Sequence, residues 1–97
     1  PKKLADQDAA DHAAAVSVYP NPSPGEFVIS LKGNIYGTIE ASLYNTLGER
    51  VYYSTFEKKT GEVSQLISQS HLTDGLYLLQ LVGSDQRRLT TSIIISN

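Results

Sequence analysis

Apolar and polar positions alternate with a period of two along most of the chain after residue 15. In 27–31 every second residue is large and apolar, and in 38–44 the apolar residues Ile39, Ala41 and Leu43 share one face. Alternate residues of a β-strand face opposite sides, so each such segment is predicted to bury one face in a core. The pattern predicts about seven strands: 16–19, 27–32, 38–44, 50–56, 62–68, 76–82 and a last strand that contains the Ile93–Ile95 run and reaches the C-terminus.

Turn-forming residues separate these strands at intervals of roughly ten residues, which is typical of a β-sandwich or small barrel. Asn45–Gly48 is short enough to make an antiparallel hairpin of the strands on either side. Gly83–Gln86 has the turn chemistry that makes a second hairpin of the last two strands. Pro20–Gly25 contains three prolines, which lack a backbone N–H, so it is predicted to form a stiff corner outside the sheets.

Tyr77 favours the sandwich over the barrel. With Leu72, Asp74 and Gly75 it resembles the tyrosine corner of immunoglobulin-like domains, in which a Tyr hydroxyl bonds to backbone a few residues upstream. The alternative is a Tyr that only covers the edge of the core. We therefore predict an all-β, immunoglobulin-like sandwich of about seven antiparallel strands. Its final hairpin is expected to bury six residues: Leu76, Tyr77, Leu79, Leu81, Ile93 and Ile95.

Residues 1–15 have a different composition from the rest of the chain. Ala and Asp dominate, and Leu4 is the one large apolar side chain. An Ala-rich segment of this length is marginal as an isolated helix, and with one bulky apolar residue it has little to dock with. The sequence therefore predicts a flexible linker over 1–15 and a single domain over 16–97. We interpret the chain, which begins with Pro1, as a fragment of a longer protein.

Composition and charge remove several classes of function. The net charge is −2, and the Lys and Arg residues are scattered, so no basic stripe for nucleic acid is formed. There is no Cys, hence no disulfide, thiolate metal site or Cys nucleophile. No apolar run has the length of a membrane span, and Asp6, Asp8 and Asp11 interrupt any signal-peptide core behind the N-terminus.

No catalytic or metal-binding motif is present. His12 falls in the predicted linker and His71 in a corner, and no Gly-x-Ser-x-Gly elbow accompanies them. The two histidines do not have zinc-ligand spacing, and the acidic residues near the N-terminus lack the Gly turn and terminal Glu of a calcium loop. We expect no enzyme activity, no metal and no cofactor.

Three separated segments together resemble one known family. They are Tyr19–Ile29 (YPNPSPGEFVI), Ala41–Val51 (ASLYNTLGERV) and Leu72–Leu81 (LTDGLYLLQL), the last followed by the terminal strand. In order and spacing they resemble the type A C-terminal sorting domain of type IX secretion cargo proteins from Bacteroidetes-type bacteria. The resemblance covers residues 16–97. The candidate recognition residues that it implies are Tyr19, Pro20, Asn21, Pro22, Gly25, Phe27, Asn45, Gly48, Gly75, Tyr77, Arg87, Arg88, Ile93, Ile94 and Ile95.

The resemblance implies a role in export. A larger cargo protein would cross the periplasm and be delivered to the cell surface or the medium. The implied partners are the type IX translocon, its shuttle proteins at the outer membrane, and a surface sortase that cuts the linker before the domain. The small residues of the predicted linker are the candidate cleavage positions: Ala9, Ala10, Ala13, Ala14 and Ala15.

One feature departs from the family pattern. Members often carry Lys or Arg close to or inside the last strand, whereas here Thr90–Ser92 precedes the Ile run and the chain ends in Asn97. The nearest basic residues are Arg87 and Arg88. If the translocon reads positive charge near the terminus, these two residues would have to supply it.

Two other functions are open on the sequence alone. An accessory adhesion or carbohydrate-binding sandwich would need an aromatic platform, for which Tyr36, Tyr44, Tyr52 and Tyr53 are the candidates. A purely structural domain would only stabilise the protein to which it is attached. Separately from these functions, a terminal hairpin with a long apolar last strand could swap between two copies and give a strand-swapped homodimer.

Overall fold

The computed structural model describes residues 14–97, and within that range the regular structure consists of seven β-strands. The predicted number of strands is confirmed, and the observed ends differ from the predicted ones by one or two residues. The strands are β1 (Ala15–Tyr19), β2 (Glu26–Lys32), β3 (Gly37–Tyr44), β4 (Arg50–Lys58), β5 (Glu62–Ser68), β6 (Gly75–Val82) and β7 (Arg88–Ile95).

The strands form two antiparallel sheets that pack as a sandwich. One sheet has three strands in the order β1-β2-β5, and the other has four in the order β4-β3-β6-β7. In this order β4 lies beside β3 as the added strand lies beside strand C in variable-type immunoglobulin domains. The predicted all-β sandwich is confirmed. Both β1 and β7 are edge strands, so each leaves one row of backbone groups outside the ladder.

The core lies between the two sheets and follows the period-two pattern. On β2 and β3 the predicted faces are buried, with Phe27 and Ile29 each 1% exposed and Ile39 and Leu43 at 0%. Completely burying a side chain of this size stabilises the fold by about 1.5–3 kcal/mol. Five of the six residues predicted to close the core from the last hairpin are buried as well: Tyr77, Leu79, Leu81, Ile93 and Ile95.

The sixth prediction, Leu76, is wrong. Leu76 is 50% exposed, because β6 turns its alternate residues Tyr77 and Leu79 inward and Leu76 therefore outward. Its cross-strand neighbour is Ile94, which is also on the outer face and 45% exposed. An unbroken apolar run hides the alternation that separates the two faces, so periodicity alone did not place this residue.

The sandwich begins slightly earlier than residue 16. Ala15 is the first residue of β1 and lies opposite Lys32, and Ala14 is partly buried against the core. The last two residues of the predicted linker therefore belong to the folded domain. Residues 1–13, which make up the rest of that linker, lie outside the described part of the chain.

The turns gather at two ends of the sandwich, which we name by the chain segments found there. The linker pole consists of Ala14 and the loops 33–36, 59–61 and 83–87. The terminal pole consists of 20–25, 45–49, 69–74 and the C-terminal residues 96–97. Strands of eight residues separate the two poles by roughly 25 Å.

A buried lysine closes the linker pole. Lys58 is 1% exposed, and its Nζ donates to the carbonyl oxygens of Gly33 at 2.6 Å and Thr60 at 2.8 Å. The ring of Tyr36 covers the ammonium group at 4.3 Å from the ring centroid. Burial lowers the pKa of Lys58 from its usual value of 10.5. The side chain thus joins two loops, 33–36 and 59–61, by bonding to their backbone.

Candidate recognition surface at the terminal pole

The fold brings the three family motifs to the same end of the molecule. Residues 20–25 of the first motif, the loop 45–49 of the second and the 72–77 part of the third all lie at the terminal pole. The C-terminal end of β7 also lies at this pole. Segments that are far apart in sequence therefore meet at one surface.

The first motif contacts the last strand through Asn21. The Asn21 side chain accepts a hydrogen bond from the Ile94 N–H at 2.9 Å and donates one to the Ser92 carbonyl at 3.2 Å. A primary amide offers the same donor and acceptor as a peptide group. The side chain therefore takes the place that a neighbouring strand would have along this part of the β7 edge.

Ser23 extends the same contact by one step. Its backbone N–H donates to the Ile94 carbonyl at 2.8 Å, and its carbonyl accepts from the Ser96 N–H at 2.8 Å. These bonds form an isolated parallel bridge between Ser23 and Ile95. We call Asn21 and Ser23 the edge clamp, because together they cover the outer edge of β7 from Ser92 to Ser96.

The Pro20–Gly25 corner was predicted not to lie inside a sheet, and it lies outside the seven strands. Ser23 joins the outer edge of β7 through an isolated bridge, a contact that the prediction did not include. Ser23 lies between two prolines and retains the N–H that they lack. The peptide bonds Tyr19–Pro20 and Asn21–Pro22 are both cis.

The corner is closed by a tight turn at Gly25. The Ser23 hydroxyl donates to the Glu26 carbonyl at 2.8 Å and accepts from the Gly25 N–H at 3.1 Å, and Ser23 is fully buried. Gly25 has φ of 102°, and a Cβ there would stand 2.9 Å from the Gln69 carbonyl oxygen. Only glycine fits such a position without strain, so the geometry of the turn explains why the first motif has glycine at this position.

Asn45 shapes the loop of the second motif. Its Oδ1 accepts from the backbone N–H groups of Leu47 at 3.0 Å and Glu49 at 2.9 Å. Its Nδ2 donates to Glu49 Oε1 at 2.8 Å, so both the oxygen and the nitrogen of the side-chain amide bond within the loop. The turn finishes at Gly48, which has φ of 84°, and it leaves Leu47 at the tip 82% exposed.

In the third motif the predicted tyrosine corner is confirmed. The Tyr77 hydroxyl donates to the Thr73 carbonyl at 2.7 Å, four residues upstream. Beside it, Asp74 Oδ1 accepts from the backbone N–H of Asn97 at 3.0 Å and from its Nδ2 at 2.8 Å. These two bonds from Asn97 lower the pKa of Asp74 below its usual value of 3.8. The C-terminal residue is thereby tied to the corner.

The outer faces of both sheets become apolar near this pole. On the four-stranded sheet Tyr44 lies opposite Leu78, and Leu76 lies opposite Ile94. On the three-stranded sheet one cross-strand row consists of Tyr19, Val28 and Leu66, of which Tyr19 and Leu66 are more than half exposed. Cross-strand neighbours on one face have Cβ atoms about 5 Å apart, so each set forms a continuous patch.

A pocket opens between the second and third motifs. Its volume is about 110 Å³, and its lining is largely apolar: Asn45, Thr46, Leu76, Tyr77, Leu78 and Ser92. The space matches one apolar side chain, since a cavity of about 150 Å³ holds a benzene molecule. The pocket therefore joins residues of two motifs and the terminal strand in one concave site.

Arg87 and Arg88 are not part of this surface. Arg87 Nε contacts Asp85 Oδ2 at 2.6 Å, and its guanidinium also bonds to the side chain and carbonyl of Asn34. These contacts hold the 83–87 loop at the linker pole. The pKa of Asp85 is lowered by hydrogen bonds from the backbone N–H and then the side chain of Arg87. Arg88 starts β7 at the same pole, opposite Val82. A role for either residue in recognition stays a prediction.

The remaining candidates divide between core and surface. Phe27, Ile93 and Ile95 are buried and hold the two sheets together, whereas Tyr19, Pro20, Pro22, Gly75 and Ile94 are exposed. Of the cleavage candidates, Ala14 and Ala15 are in the folded domain, and Ala9, Ala10 and Ala13 lie outside the described residues.

Sequence reasoning did not select Ser23, Asp74, Thr46 or Ser92 as site residues. Ser23 and Asp74 bond to partners more than twenty residues away in the chain, and Thr46 and Ser92 matter because they line a pocket. Ser23, Asp74 and Thr46 lie inside the three motifs, but nothing local to those motifs shows which partners the tertiary fold brings to them.

The four tyrosines proposed as a sugar-binding platform are not on one face. Tyr36 covers Lys58 at the linker pole, Tyr52 packs against the core, and Tyr44 and Tyr53 face outward on the four-stranded sheet. Among residues 14–97 there is no cluster of three or more His, Cys, Asp or Glu side chains that could hold a metal ion. That same part of the chain has no helix long and apolar enough to cross a membrane.

The chain is similar in sequence to two known proteins over most of its length. Over 83 residues the chain is 30% identical to an endo-acting ulvan lyase from Formosa agariphila, and over 84 residues it is 33% identical to ulvan lyase NLR42 from Nonlabens ulvanivorans. Each alignment covers 86% of this chain but only 15% of the relative. The chain thus corresponds to a small part of these proteins.

Residues 17–96 match the family described as the secretion system C-terminal sorting domain. The match includes all three motifs and nearly the whole sandwich. The chain belongs to this family, and it is a sorting domain of the type IX secretion system, as the motifs had predicted.

Proposed function

We propose that this domain is the export signal of a larger cargo protein, which it directs through the type IX translocon to the cell surface or the medium. The observation that carries the proposal is the convergence of the three family motifs and the terminal strand at one pole, joined by the edge clamp. A receptor that contacts this pole would meet a folded, composite surface, and the signal is therefore read as a structure rather than as an extended peptide.

The relatives suggest what the cargo is. Both are named as ulvan lyases, and the chain corresponds to 15% of the length of each. By this reasoning the cargo is a secreted enzyme of the ulvan lyase kind, and its catalytic residues lie outside these 97 residues.

After export, a surface sortase would separate the cargo from this domain within residues 1–13. A protease binds its substrate as an extended chain, and exposed segments rich in small residues suit it best. Ala9, Ala10 and Ala13 meet that requirement by composition. Ala15 is paired with Lys32 in β1, so cutting beside it would require the first strand to open.

Export is tested by fusing residues 1–97 to a reporter that is directed to the periplasm of a bacterium with a working type IX system. We expect the reporter at the cell surface or in the medium, and retention in the periplasm when the translocon is inactivated. A reporter without the domain is the matched control. Equal export with and without the domain would contradict the proposal, as would a folded fusion that stays in the periplasm.

Cleavage is tested on the same fusion by mass spectrometry of the surface-delivered reporter. We expect its new C-terminus to fall before Ala14. A C-terminus inside β1 or later would show that the sortase acts on the folded domain. A surface-delivered reporter that keeps residue 97 would contradict cleavage while leaving the export function intact.

A further inference from the structure

Large apolar side chains are exposed unevenly over this molecule. Among residues 14–97, six of those most exposed lie toward the terminal pole, Tyr53 lies near the middle of β4, and Tyr36 lies at the linker pole. Single exposed apolar residues are normal on a soluble domain, whereas a clustered set marks an interaction surface. The six are Tyr19, Leu47, Leu66, Leu76, Leu78 and Ile94.

The same outer face is polar at the other end. Near the linker pole the outward positions of the four-stranded sheet form a row of Thr55, Glu40, Val82 and Arg88. Two rows closer to the terminal pole, β6 and β3 present Leu78 beside Tyr44, and Leu76 follows at the end of the sheet. The outward residues change from polar to apolar along the same strands, so the difference lies between the two ends of the sheet and not between strands.

The described chain begins at the pole opposite this apolar surface. It enters the sandwich at Ala14, at the linker pole, roughly 25 Å from the terminal pole. Residues 1–13 supply Leu4 as their one large apolar side chain, too little to cover the patch. A cargo attached through this linker is therefore joined to the sandwich at the linker pole.

The charge of the terminal pole distinguishes a protein partner from an anionic lipid surface. The charged side chains of the terminal pole and of the strand ends beside it are Glu26, Glu49, Asp74 and Arg50, three carboxylates against one guanidinium. A surface that docks on anionic lipid headgroups carries clustered Lys and Arg instead. The pocket of about 110 Å³ has hydroxyls of Thr46 and Ser92 beside Leu76 and Leu78, a combination that suits one side chain of a peptide.

We infer that the four-stranded face of the terminal pole docks a protein segment of the export machinery, and that one apolar side chain of this segment enters the pocket. This inference rests on the proposed function. The contact area extends from the pocket over Leu76, Leu78 and Ile94 to Leu47 at the hairpin tip. Anchor residues that fill such pockets usually supply most of the binding free energy of an interface.

The test uses three variants in the reporter fusion described above. Leu76→Ser combined with Leu78→Ser removes the apolar floor, and Ser92→Phe fills the pocket from the exposed face of β7. Val82→Ser is the matched control, because it lies on the same strand and the same face but at the polar end. We expect export to fall on the order of tenfold for the first two variants and to stay unchanged for Val82→Ser.

Folding is measured separately by thermal unfolding of each purified 97-residue chain. All substituted positions are at least partly exposed, so the variants are expected to unfold cooperatively like the parent. If the double variant does not fold, Ser92→Phe and the tip variant Leu47→Ser decide the question, since Leu47 is 82% exposed. Folded variants that are exported as well as Val82→Ser would overturn the docking surface.

The failures of the two proposals are distinguishable. If the unmodified fusion is not exported, the proposed function fails and this inference fails with it. If the unmodified fusion is exported and the variants are too, only the docking surface fails. If the unmodified chain is a dimer in analytical ultracentrifugation and Leu76→Ser/Leu78→Ser dissociates it, the surface binds a second copy. If the chain floats with neutral lipid vesicles, the surface binds a membrane. Either result would overturn the inference that a protein segment of the export machinery docks there.

Discussion

At the linker pole the loops are held by charged side chains. Lys58 bonds to two loop carbonyls, and Arg87 bonds to Asp85 and Asn34. At the terminal pole the corresponding work is done mainly by neutral amide and backbone groups. Asn21 and Ser23 hold the edge of β7, and Asn45 fills its own loop.

This difference suggests that the side chains that stabilise loops and those available to bind a partner lie at opposite poles. Charges that are engaged in loop contacts at the linker pole are not free for a partner. The terminal pole satisfies its backbone mainly with uncharged groups, with Asp74 as a charged exception, and it leaves apolar side chains outside, where they are available for contact. A composite surface of this kind exists only in the folded domain, so folding and recognition must be measured independently.

The largest effect is expected from deleting Ile93–Asn97. Ile93 and Ile95 are 0% and 1% exposed, and each loss of such a side chain costs about 2–5 kcal/mol. Because the total stability of a domain is about 5–15 kcal/mol, the truncated chain should be largely unfolded at room temperature. Circular dichroism and thermal melting measure this directly.

Deletion of Ser96–Asn97 alone is the matched control for that truncation. It removes the bonds to Ser23 and Asp74 but keeps the core, so a cooperative transition should remain. If the longer deletion also melts cooperatively near the temperature of the intact chain, the structural role of the last strand is wrong. Retention of a cargo with the longer deletion would, by our expectation, report unfolding rather than a lost recognition contact.

The second effect addresses the linker pole through Lys58→Met. The substitution keeps an apolar stem but leaves the Gly33 and Thr60 carbonyls without their donor. Relief from burying a charge offsets part of the loss, so we expect about 1–3 kcal/mol less stability in chemical denaturation. Lys59→Met, at the exposed neighbouring position, should change stability by less than about 0.5 kcal/mol. Equal stability of the two variants would show that the buried ammonium group does not hold the loops.

The third effect tests the edge clamp. Asn21→Ala removes one acceptor and one donor from the β7 edge and should cost about 1–2 kcal/mol. Asn21→Asp keeps the acceptor for the Ile94 N–H but places negative charge beside the Ser92 carbonyl, so it should not restore stability. Hydrogen exchange gives a local readout, because the Ile94 amide should exchange faster in Asn21→Ala. An unchanged Ile94 exchange rate would mean that this bond does not protect the edge.

The sequence predicted the parts of the structure that depend on local pattern. Period-two alternation located the strands, and the tyrosine corner was recognisable because Tyr77 and its acceptor at Thr73 are four residues apart. Leu76 was misplaced because its neighbours are also apolar, and only the pairing with Ile94 shows which face it occupies.

The candidate recognition surface was predicted less completely, for a different physical reason. The motifs named Asn21 and Ile94, but their hydrogen bond spans 73 residues of chain, and no local rule predicts such a contact. The pocket depends on three segments meeting, so Thr46 and Ser92 acquire their position only from the tertiary fold. The positions of the strands therefore follow from short stretches of sequence, whereas the composite surface forms only when the sandwich is packed.

The smallest expected effect is on the pH dependence of stability, which we compare for one carboxylate at each pole, Asp74 and Asp85. The pKa of Asp74 is lowered by the bonds from Asn97, so its folded pKa lies below its unfolded value of 3.8. A lowered pKa contributes stability that is present above the unfolded pKa and is lost as the pH falls through the folded pKa. Asp74→Asn should therefore be less stable than the intact chain near neutral pH, and the difference should shrink as the solution becomes strongly acidic.

Thermal melts of the intact chain, Asp74→Asn and Asp85→Asn between about pH 6 and about pH 2 separate the two contributions. The pKa of Asp85 is lowered as well, but by bonds from Arg87, two residues away in the same loop. Its substitution should have the same sign of pH dependence and loosen only the 83–87 loop, whereas Asp74→Asn should also speed amide exchange at Asn97. A stability difference for Asp74→Asn that grows toward low pH would contradict the assigned pKa shift, because protonation removes the charge that distinguishes the two chains.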